Sequence, residues 1–219
     1  ERNLAMKLFY SPFHTFVHKV LVTAHECGHW DKLERVATFP FKNNAGEDCG
    51  DSYDISPLNP LDKVPTLVTD DGQVIFASQA ICEYLEECHP APALIGTSAE
   101  ERAMTRMWTR RIDLYIVEPM LTGFRSAEGQ GLFKSRMRLI PQAAADLKAL
   151  AQEKIAWLDG LIAGRDFIAG DSLTLADILL YCTLDFGATV GQPFSADNAN
   201  IAAWFARVNG RSSAEASRK

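Results

Sequence analysis

Near the N-terminus, a run of residues typical of a β-strand is followed by apolar residues at the spacing of a helix. Residues 7–10 form a short β-rich run, and residues 13–24 carry apolar side chains at helical spacing. Gly28 is placed to end this helix, because the residue that follows a helix C-terminus often has a positive φ. Residues 36–39 are predicted to form the next strand. The order of elements is therefore strand, helix, strand, followed by a long polar loop over residues 42–57.

The next stretch of the chain predicts two strands and a helix. The runs 64–68 and 74–76 flank Asp71-Gly72, a dipeptide typical of a type I′ turn, so the two strands are expected to pair antiparallel. Pro65 cannot donate to a sheet ladder and is expected at a strand start or an edge. Ser78 precedes apolar positions at helical spacing and is predicted to be the N-cap of that helix. Unpaired backbone N–H groups at such a helix start would suit a carboxylate.

After a Pro-rich break over residues 89–96, the chain is predicted to be helical. Ser98 and Glu101 have the spacing of a capping box, which begins a helix expected to run to about residue 124. A bend is expected near Pro119, because proline removes a backbone donor from a helix. A second long helix is predicted over residues 141–163.

Thr174 and Asp177 repeat the capping-box spacing further along the chain. Leu173 and Ile178 stand where a hydrophobic staple would pack across the helix start. The motif is therefore expected to begin another helix. A last amphipathic helix is predicted near residues 200–208.

Composition and charge narrow the functional classes. With 47% hydrophobic and 23% charged residues, the 219-residue chain has the composition of an ordinary globular protein with a substantial core. The net charge is −6 and no dense Lys/Arg cluster occurs, so nucleic acid is not an expected partner. No apolar run approaches the ~18 residues of a membrane span, so no membrane partner is expected and a cytoplasmic location is predicted. Met6 is interpreted as the natural start, and residues 1–5 are set aside.

The histidine and cysteine patterns raise two further possibilities. The segment His25-Glu26-Cys27-Gly28-His29 matches His-Glu-x-x-His, in which two histidines one helical turn apart hold zinc. Gly28 is expected to end the helix and direct His29 elsewhere, and no third ligand is evident, so no metal is predicted. The five cysteines are odd in number and include no Cys-x-x-Cys pair. They are predicted to be reduced and mostly buried thiols.

The sequence Asn-Pro-Leu-Asp-Lys-Val-Pro-Thr-Leu at 59–67, with its Asp-Gly turn and following Ser, resembles the glutathione transferases. The motif around Thr174 and Asp177 is similar to a capping motif of their helical domain, where it serves folding and not catalysis. The resemblance covers residues 6 to about 211. It implies a thioredoxin-like α/β domain over residues 6–88 and an all-helical domain over residues 97–211. It also implies a homodimer, with glutathione as co-substrate and no other cofactor.

The resemblance implies a glutathione site in the first domain. Val64 would precede a cis proline and pair with the cysteinyl part of glutathione, and Ser78 would hold the γ-glutamyl carboxylate. Two positions depart from the family pattern, because Ala77 replaces an acid or Gln beside Ser78 and Asp62 replaces a glycine. Gln79 is a possible replacement for the polar partner lost at Ala77. The glutathione-binding residues implied are Phe13, Lys63, Val64, Pro65, Ser78 and Gln79.

Activation of the thiol needs a hydrogen-bond donor near the start of the first helix, because only the thiolate is a good nucleophile. His14 stands where many relatives carry a catalytic serine, and Ser11 and Thr15 flank it. The candidates are Ser11, His14 and Thr15, in that order. Ser11 is as well explained as the residue that simply ends the first strand.

A co-substrate pocket is predicted at Met107, Arg111 and Tyr115 on the first long helix. A solvated arginine face over a packed aromatic ring explains these residues equally well. The predicted function is a cytoplasmic detoxification enzyme that conjugates glutathione to a small electrophile. Two alternatives stay open: reduction of a peroxide or disulfide with the same thiol, and a non-catalytic binding or assembly protein of this fold.

Overall fold

The computed structural model describes residues 6–12, 14–42 and 48–218. The chain divides into two compact units, of which unit 1 comprises Glu1–Leu94 together with Gly210–Lys219 and unit 2 comprises Ile95–Asn209. The predicted domain limits, 6–88 and 97–211, stay predictions. None of the helices in the described ranges is both long and apolar enough to cross a membrane.

Unit 1 is a mixed α/β structure built on one sheet. Its elements up to residue 88 are β1 (Met6–Tyr10), α1 (Thr15–Glu26), β2 (Leu33–Ala37), β3 (Phe41–Lys42), β4 (Asp48–Cys49), β5 (Thr66–Val68), β6 (Val74–Phe76) and α2 (Ser78–Cys88). Four strands form a sheet in the order β2-β1-β5-β6, in which β1 is parallel to β2 and antiparallel to β5. β3 and β4 form a separate antiparallel pair.

Helix α1 ends at Glu26, and Gly28 follows it, as predicted, as the C′ residue with a φ of 67°. The Gly28 N–H donates to the His25 carbonyl, and the His29 N–H reaches back to the Ala24 carbonyl. This pair of bonds is a Schellman motif, which satisfies two carbonyls that the helix end would otherwise leave unpaired.

The turn between β5 and β6 differs from the predicted type I′ turn. Of its residues only Gly72 has a positive φ, at 86°, whereas type I′ needs two. The Thr69 N–H donates to the Gln73 carbonyl and the Gly72 N–H to the Thr69 carbonyl, which closes a five-residue turn. The Thr69 hydroxyl also bonds the Asp71 carboxylate and accepts from the Gln73 N–H. These side-chain bonds favour the longer turn, while the antiparallel pairing of β5 and β6 is confirmed.

Unit 2 is all-helical, as predicted. Its described helices are α3 (Ala99–Ile112), α4 (Glu118–Ser126), α5 (Gln130–Phe133), α6 (Ala144–Leu161), α7 (Leu175–Thr189) and α8 (Ala199–Asn209). Helix α7 is buried along most of its length and forms the centre of this unit. The fold class predicted from the sequence, a thioredoxin-like α/β part followed by a helical part, is confirmed.

Both predicted capping boxes are present. The Ser98 hydroxyl accepts from the Glu101 N–H, and the Glu101 carboxylate accepts in return from the Ser98 N–H. Asp177 is fully buried and accepts from the N–H and the hydroxyl of Thr174. It also accepts from the Ile168 N–H and the Trp204 indole N–H, which ties α7 to α8.

The long helix predicted around Pro119 is interrupted one turn earlier. Residues Asp113–Val117 form a π-helical turn, in which the Glu118 N–H donates to the Asp113 carbonyl. Pro119 lacks an N–H and its ring clashes with the carbonyl of the preceding turn. Widening that turn removes the clash, so the chain continues from α3 through the π-helical turn into α4.

A short helix that the sequence did not predict, α9 (Ser212–Ala216), returns to unit 1 and packs on α1. The Arg211 guanidinium donates from Nε and Nη2 to the two oxygens of Glu26, at 2.7 and 2.8 Å. The Ser213 hydroxyl donates to the same carboxylate, and Ser217 bonds the His18 ring at 2.9 Å. Residues 210–218, together with these contacts, are called the C-terminal clasp.

Candidate functional site

Three segments of unit 1 meet at one end of its sheet. In the ladder, Phe9 lies opposite Thr66, and Thr66 lies opposite Phe76. The residues that follow β1, precede β5 and follow β6 therefore lie side by side. Because the predicted catalytic and glutathione-binding residues of unit 1 belong to these segments, the fold brings them to the same edge.

The loop before β5 is held by a buried asparagine. The Asn59 side-chain amide donates to the Lys63 carbonyl at 2.8 Å and to the Thr66 hydroxyl at 3.1 Å. The Thr66 hydroxyl donates to the same Lys63 carbonyl at 2.9 Å. The Val64–Pro65 peptide bond is cis, as the resemblance implies. This network fixes the backbone of Lys63 and Val64 beside the end of β1.

Asp62 occupies a position that suits glycine. Its φ is 48°, in the left-handed region that residues other than Gly, Asn and Asp rarely adopt. The Asp62 N–H donates to the Asn59 carbonyl at 2.8 Å. The replacement of glycine by Asp62 is therefore compatible with the local backbone, because aspartate is among the residues that tolerate the left-handed region.

The start of α2 differs from the prediction. Ser78 is the first residue of the helix and not its N-cap, because Ala77, with a φ of 72°, takes the cap position. Ala77 has no side chain that can cap the helix, and it is exposed. Ser78 and Gln79 are half-buried at the first turn, where the helix has unpaired N–H groups.

A buried lysine of α1 reaches this helix start. Lys19 is only 2% exposed, and its ammonium donates to Gln79 Oε1 at 2.5 Å. The other side of the Gln79 amide, Nε2–H, donates to the Glu83 carboxylate at 2.9 Å. Lys19, Gln79 and Glu83 therefore form a continuous polar chain across the α1–α2 contact.

The three catalytic candidates have different environments. The Ser11 hydroxyl donates to the neighbouring Pro12 carbonyl at 3.2 Å. Thr15 is 3% exposed, and within the described ranges its hydroxyl has no hydrogen-bond partner. His14 is half-buried and is the N-cap of α1, where its Nδ1 accepts from the Phe16 N–H at 3.3 Å. Phe13, predicted to bind glutathione, lies outside the described residues.

The cap contact defines the chemical form of His14. In this contact Nδ1 accepts, which leaves Nε2 as the ring nitrogen that can donate. His14 thus has an N–H donor at the start of the helix.

The predicted co-substrate residues belong to unit 2. The Arg111 guanidinium lies 5.2 Å from the centre of the buried Trp108 ring, and Lys154 Nζ lies 5.8 Å from the ring of Tyr115. Tyr115 is 49% exposed, Met107 is half-buried and Arg111 is exposed. An arginine over a packed aromatic ring is therefore what the structure shows at Arg111, and the pocket stays a prediction.

The two histidines of the His-Glu-x-x-His segment, His25 and His29, make different contacts and do not form a pair of metal ligands. His29 is buried and donates from Nε2 to the Leu85 carbonyl at 3.0 Å, and burial lowers its pKa. His25 instead contacts Trp30. In the part of the chain that the structure describes, no three His, Cys, Asp or Glu side chains form a metal-binding group.

The buried cysteines do not supply a thiolate. Burial raises the pKa of Cys27 to about 12, and it also raises the pKa of Cys82. Both thiols are therefore protonated at neutral pH, and neither is suited to act as a nucleophile.

Sequence reasoning missed two polar residues that organise the site. Asn59 is the first residue of the 59–67 motif, and its role could have been suspected because Asn side chains often bond nearby backbone groups. Lys19 had a weaker signal, a lysine within the apolar helix run. Its partner Gln79 is 60 positions away, so the contact could not be read from local spacing.

A sheet in the order β2-β1-β5-β6, a cis proline before β5 and a helical unit after it define a thioredoxin-like protein with a helical domain. Two family models match this division. The glutathione S-transferase N-terminal domain matches residues 13–88, and the C-terminal domain of the same family matches residues 136–212. The chain belongs to the glutathione S-transferase family.

The individual relatives include both glutathione S-transferases and elongation factor 1-gamma proteins. Glutathione S-transferase 2 of Saccharomyces cerevisiae is 28% identical over 68% of this chain and 64% of its own length. Probable elongation factor 1-gamma 2 of Arabidopsis thaliana is 33% identical over 79% of this chain and 39% of its own length. The chain thus spans less than two thirds of these relatives. A sphingomonad glutathione S-transferase, solved in complex with glutathione, is 25% identical with a TM-score of 0.75, covering 97% of this chain and 96% of that one.

Proposed function

We propose that this chain is a glutathione transferase, which binds glutathione at the sheet edge of unit 1 and adds its thiolate to a small electrophile. The observation that carries the proposal is the register of the sheet, which aligns the end of β1, the cis Val64–Pro65 bond and the start of α2. The glutathione complex of the sphingomonad relative supports the choice of ligand.

In this proposal the extended backbone at Val64 binds the cysteinyl part of glutathione, and the first turn of α2 binds the γ-glutamyl carboxylate. A carboxylate at Ser78 would receive the unpaired N–H groups and the positive end of the helix dipole. Lys63 is exposed beside this backbone and adds positive charge. The ligand would thus connect two segments that the sheet already holds together.

We propose His14 as the group that stabilises the thiolate. Its Nε2–H donates to the sulfur anion, while the thiol proton passes to water. The Ser11 proton is engaged with Pro12, and the Thr15 hydroxyl is buried, so these two candidates are less suited to this role. A donor aimed at the anion lowers the pKa of the bound thiol below ~8.5, the value of a free thiol.

The test combines binding with turnover. Titration calorimetry with reduced glutathione should show saturable binding, and conjugation to an aryl chloride should be measurable. His14→Ala should lower kcat/KM by roughly 10²-fold, the range of one positioned proton donor, with little change in glutathione affinity. His25→Ala is a matched control on the same helix, and its rate should equal that of the unchanged protein. Equal rates for His14→Ala and His25→Ala would contradict the role of His14.

The similarity to elongation factor 1-gamma favours a second candidate, a non-catalytic binding or assembly protein. Glutathione binding without turnover on aryl halides, hydroperoxides or disulfides would support it. Turnover on hydroperoxides or disulfides alone would support the reductase alternative.

The homodimer is also a proposal. Unit 2 exposes Leu150, Trp157 and Leu161 on one side of α6, with exposed fractions of 42–48%, and such apolar surface is typical of an interface. Sedimentation equilibrium at micromolar concentration should give twice the 24.2 kDa chain mass. A cytoplasmic role in detoxification predicts that cells lacking the protein become more sensitive to electrophiles.

A further inference from the structure

We propose that the start of α2 selects the γ-glutamyl carboxylate of glutathione but not the neighbouring α-ammonium group. The chain would then accept thiol peptides in which that amino group is acylated or absent. This inference rests on the proposed glutathione site, and it concerns the ligand specificity of that site.

The first observation is a buried cation with a neutral partner. Lys19 is 2% exposed, and Gln79 Oε1 takes one of the three N–H bonds that an ammonium can donate. Among the residues described here, no carboxylate lies within ion-pair distance of Lys19. A buried charge without a countercharge is costly, so this position favours the arrival of an anion and opposes a second cation.

The second observation is the orientation of the Gln79 amide. An ammonium can only donate and a carboxylate can only accept, so the oxygen must face Lys19 and the NH₂ group must face Glu83. Gln79 therefore has Oε1 bonded to the Lys19 cation and its NH₂ group bonded to the Glu83 carboxylate. The second lone pair of Oε1 lies beside the Lys19 ammonium, so a ligand ammonium that used it would stand next to a like charge.

The third observation is the side chain at the helix cap. Ala77 is exposed at the start of α2 and has only a methyl group, which cannot bond an ammonium. Glu83, the carboxylate in the polar chain, lies one turn further into the helix and is bonded to Gln79. The unpaired N–H groups and the helix dipole at this end also favour an anion. The helix start and the Lys19 cation thus favour the ligand carboxylate, and neither Ala77 nor Lys19 can accept a hydrogen bond from the amine.

The test compares two ligands that differ only in the amino group, S-methylglutathione and the same peptide with a γ-glutaryl residue in place of γ-glutamyl. Titration calorimetry at pH 7.5 should give dissociation constants within threefold of each other. A site that pairs the ammonium with an acceptor would lose roughly tenfold or more on its removal. Preference for S-methylglutathione beyond threefold would overturn the inference. If neither ligand binds, the proposed glutathione site itself is wrong.

A variant tests the mechanism. Lys19→Met removes the cation and frees Gln79 Oε1, so the amide could rotate and accept from an ammonium. Both ligands should then bind more weakly, and S-methylglutathione should become the preferred ligand by at least threefold. Lys7→Met, which removes an exposed lysine of β1, is the control and should leave the ratio unchanged. An unchanged ratio in Lys19→Met would contradict the assigned role of Lys19.

Discussion

The C-terminal clasp gives a quantitative prediction about stability. Glu26 accepts two bonds from Arg211 and one from Ser213, and the side chains of Glu26 and Arg211 are 9% and 37% exposed. Exposed ion pairs contribute ~0.2–1 kcal/mol, whereas loss of one partner of a buried pair costs ~3–5 kcal/mol. Since the guanidinium is partly solvated, Glu26→Gln should lower the free energy of unfolding by about 2 kcal/mol. The expected drop in Tm is roughly 4–8 °C.

The exposed pair between Lys7 and Glu34 provides the matched control. Its atoms are 3.2 Å apart and its side chains are 50% and 47% exposed, so Glu34→Gln should cost less than ~1 kcal/mol. Thermal denaturation of both variants at pH 7, followed by circular dichroism, compares the same chemical change in two environments. Equal shifts in Tm for the two variants would refute the reasoning.

The pH dependence of the stability loss in Glu26→Gln tests whether that loss is electrostatic. Burial would raise the pKa of Glu26, but the hydrogen bonds from Arg211 and Ser213 outweigh it and hold the pKa below its ordinary 4.5. A carboxyl whose pKa is lower in the folded state stabilises the fold above its unfolded value and loses this contribution as the pH falls. The Tm difference between Glu26→Gln and the unchanged protein should therefore be full at pH 7 and shrink below pH 4.5. A difference independent of pH would contradict an ionic role.

Three further predictions concern other sites. Asp177→Ala leaves several buried donors unpaired and should destabilise the fold by ~3–5 kcal/mol, measured by urea unfolding; a loss below ~1 kcal/mol would contradict the network. Gly28→Ala meets open space but keeps a φ of 67°, so it should cost about 1 kcal/mol, whereas Gly131→Ala should cost nothing measurable. Iodoacetamide at pH 8 should modify the exposed Cys88 and leave Cys27, with its pKa of about 12, unmodified, as peptide mass spectrometry will show.

Several features specified by neighbouring residues were predicted correctly, although Ser78 was wrongly predicted as the N-cap of α2. The end of α1 depends on Gly28 and the carbonyls one turn before it, and each capping box depends on two residues three positions apart. The type I′ prediction failed because a dipeptide rule considered Asp71 and Gly72 without the Thr69 side chain, which bonds across the turn.

Features that depend on distant contacts could not be predicted. Helix α9 is short and has no strong periodicity, and its position follows from Arg211 reaching Glu26 across 185 residues. The candidate site shows the same division. Its segments were recognised from local motifs, but the amide orientation of Gln79 is decided by Lys19, on another helix. The chemical character of the site therefore depends on packing that spacing alone does not reveal.

The clasp also bears on how the protein is made. Residues 210–218 leave the ribosome only after all of unit 2, so unit 1 must wait through the synthesis of that entire helical unit before Glu26 meets Arg211. Until then, the face of α1 that α9 covers is exposed to solvent. A recombinant fragment ending at Leu94 would keep that uncovered face permanently. A stable isolated unit 1 should therefore be built with residues 210–218 joined through a linker.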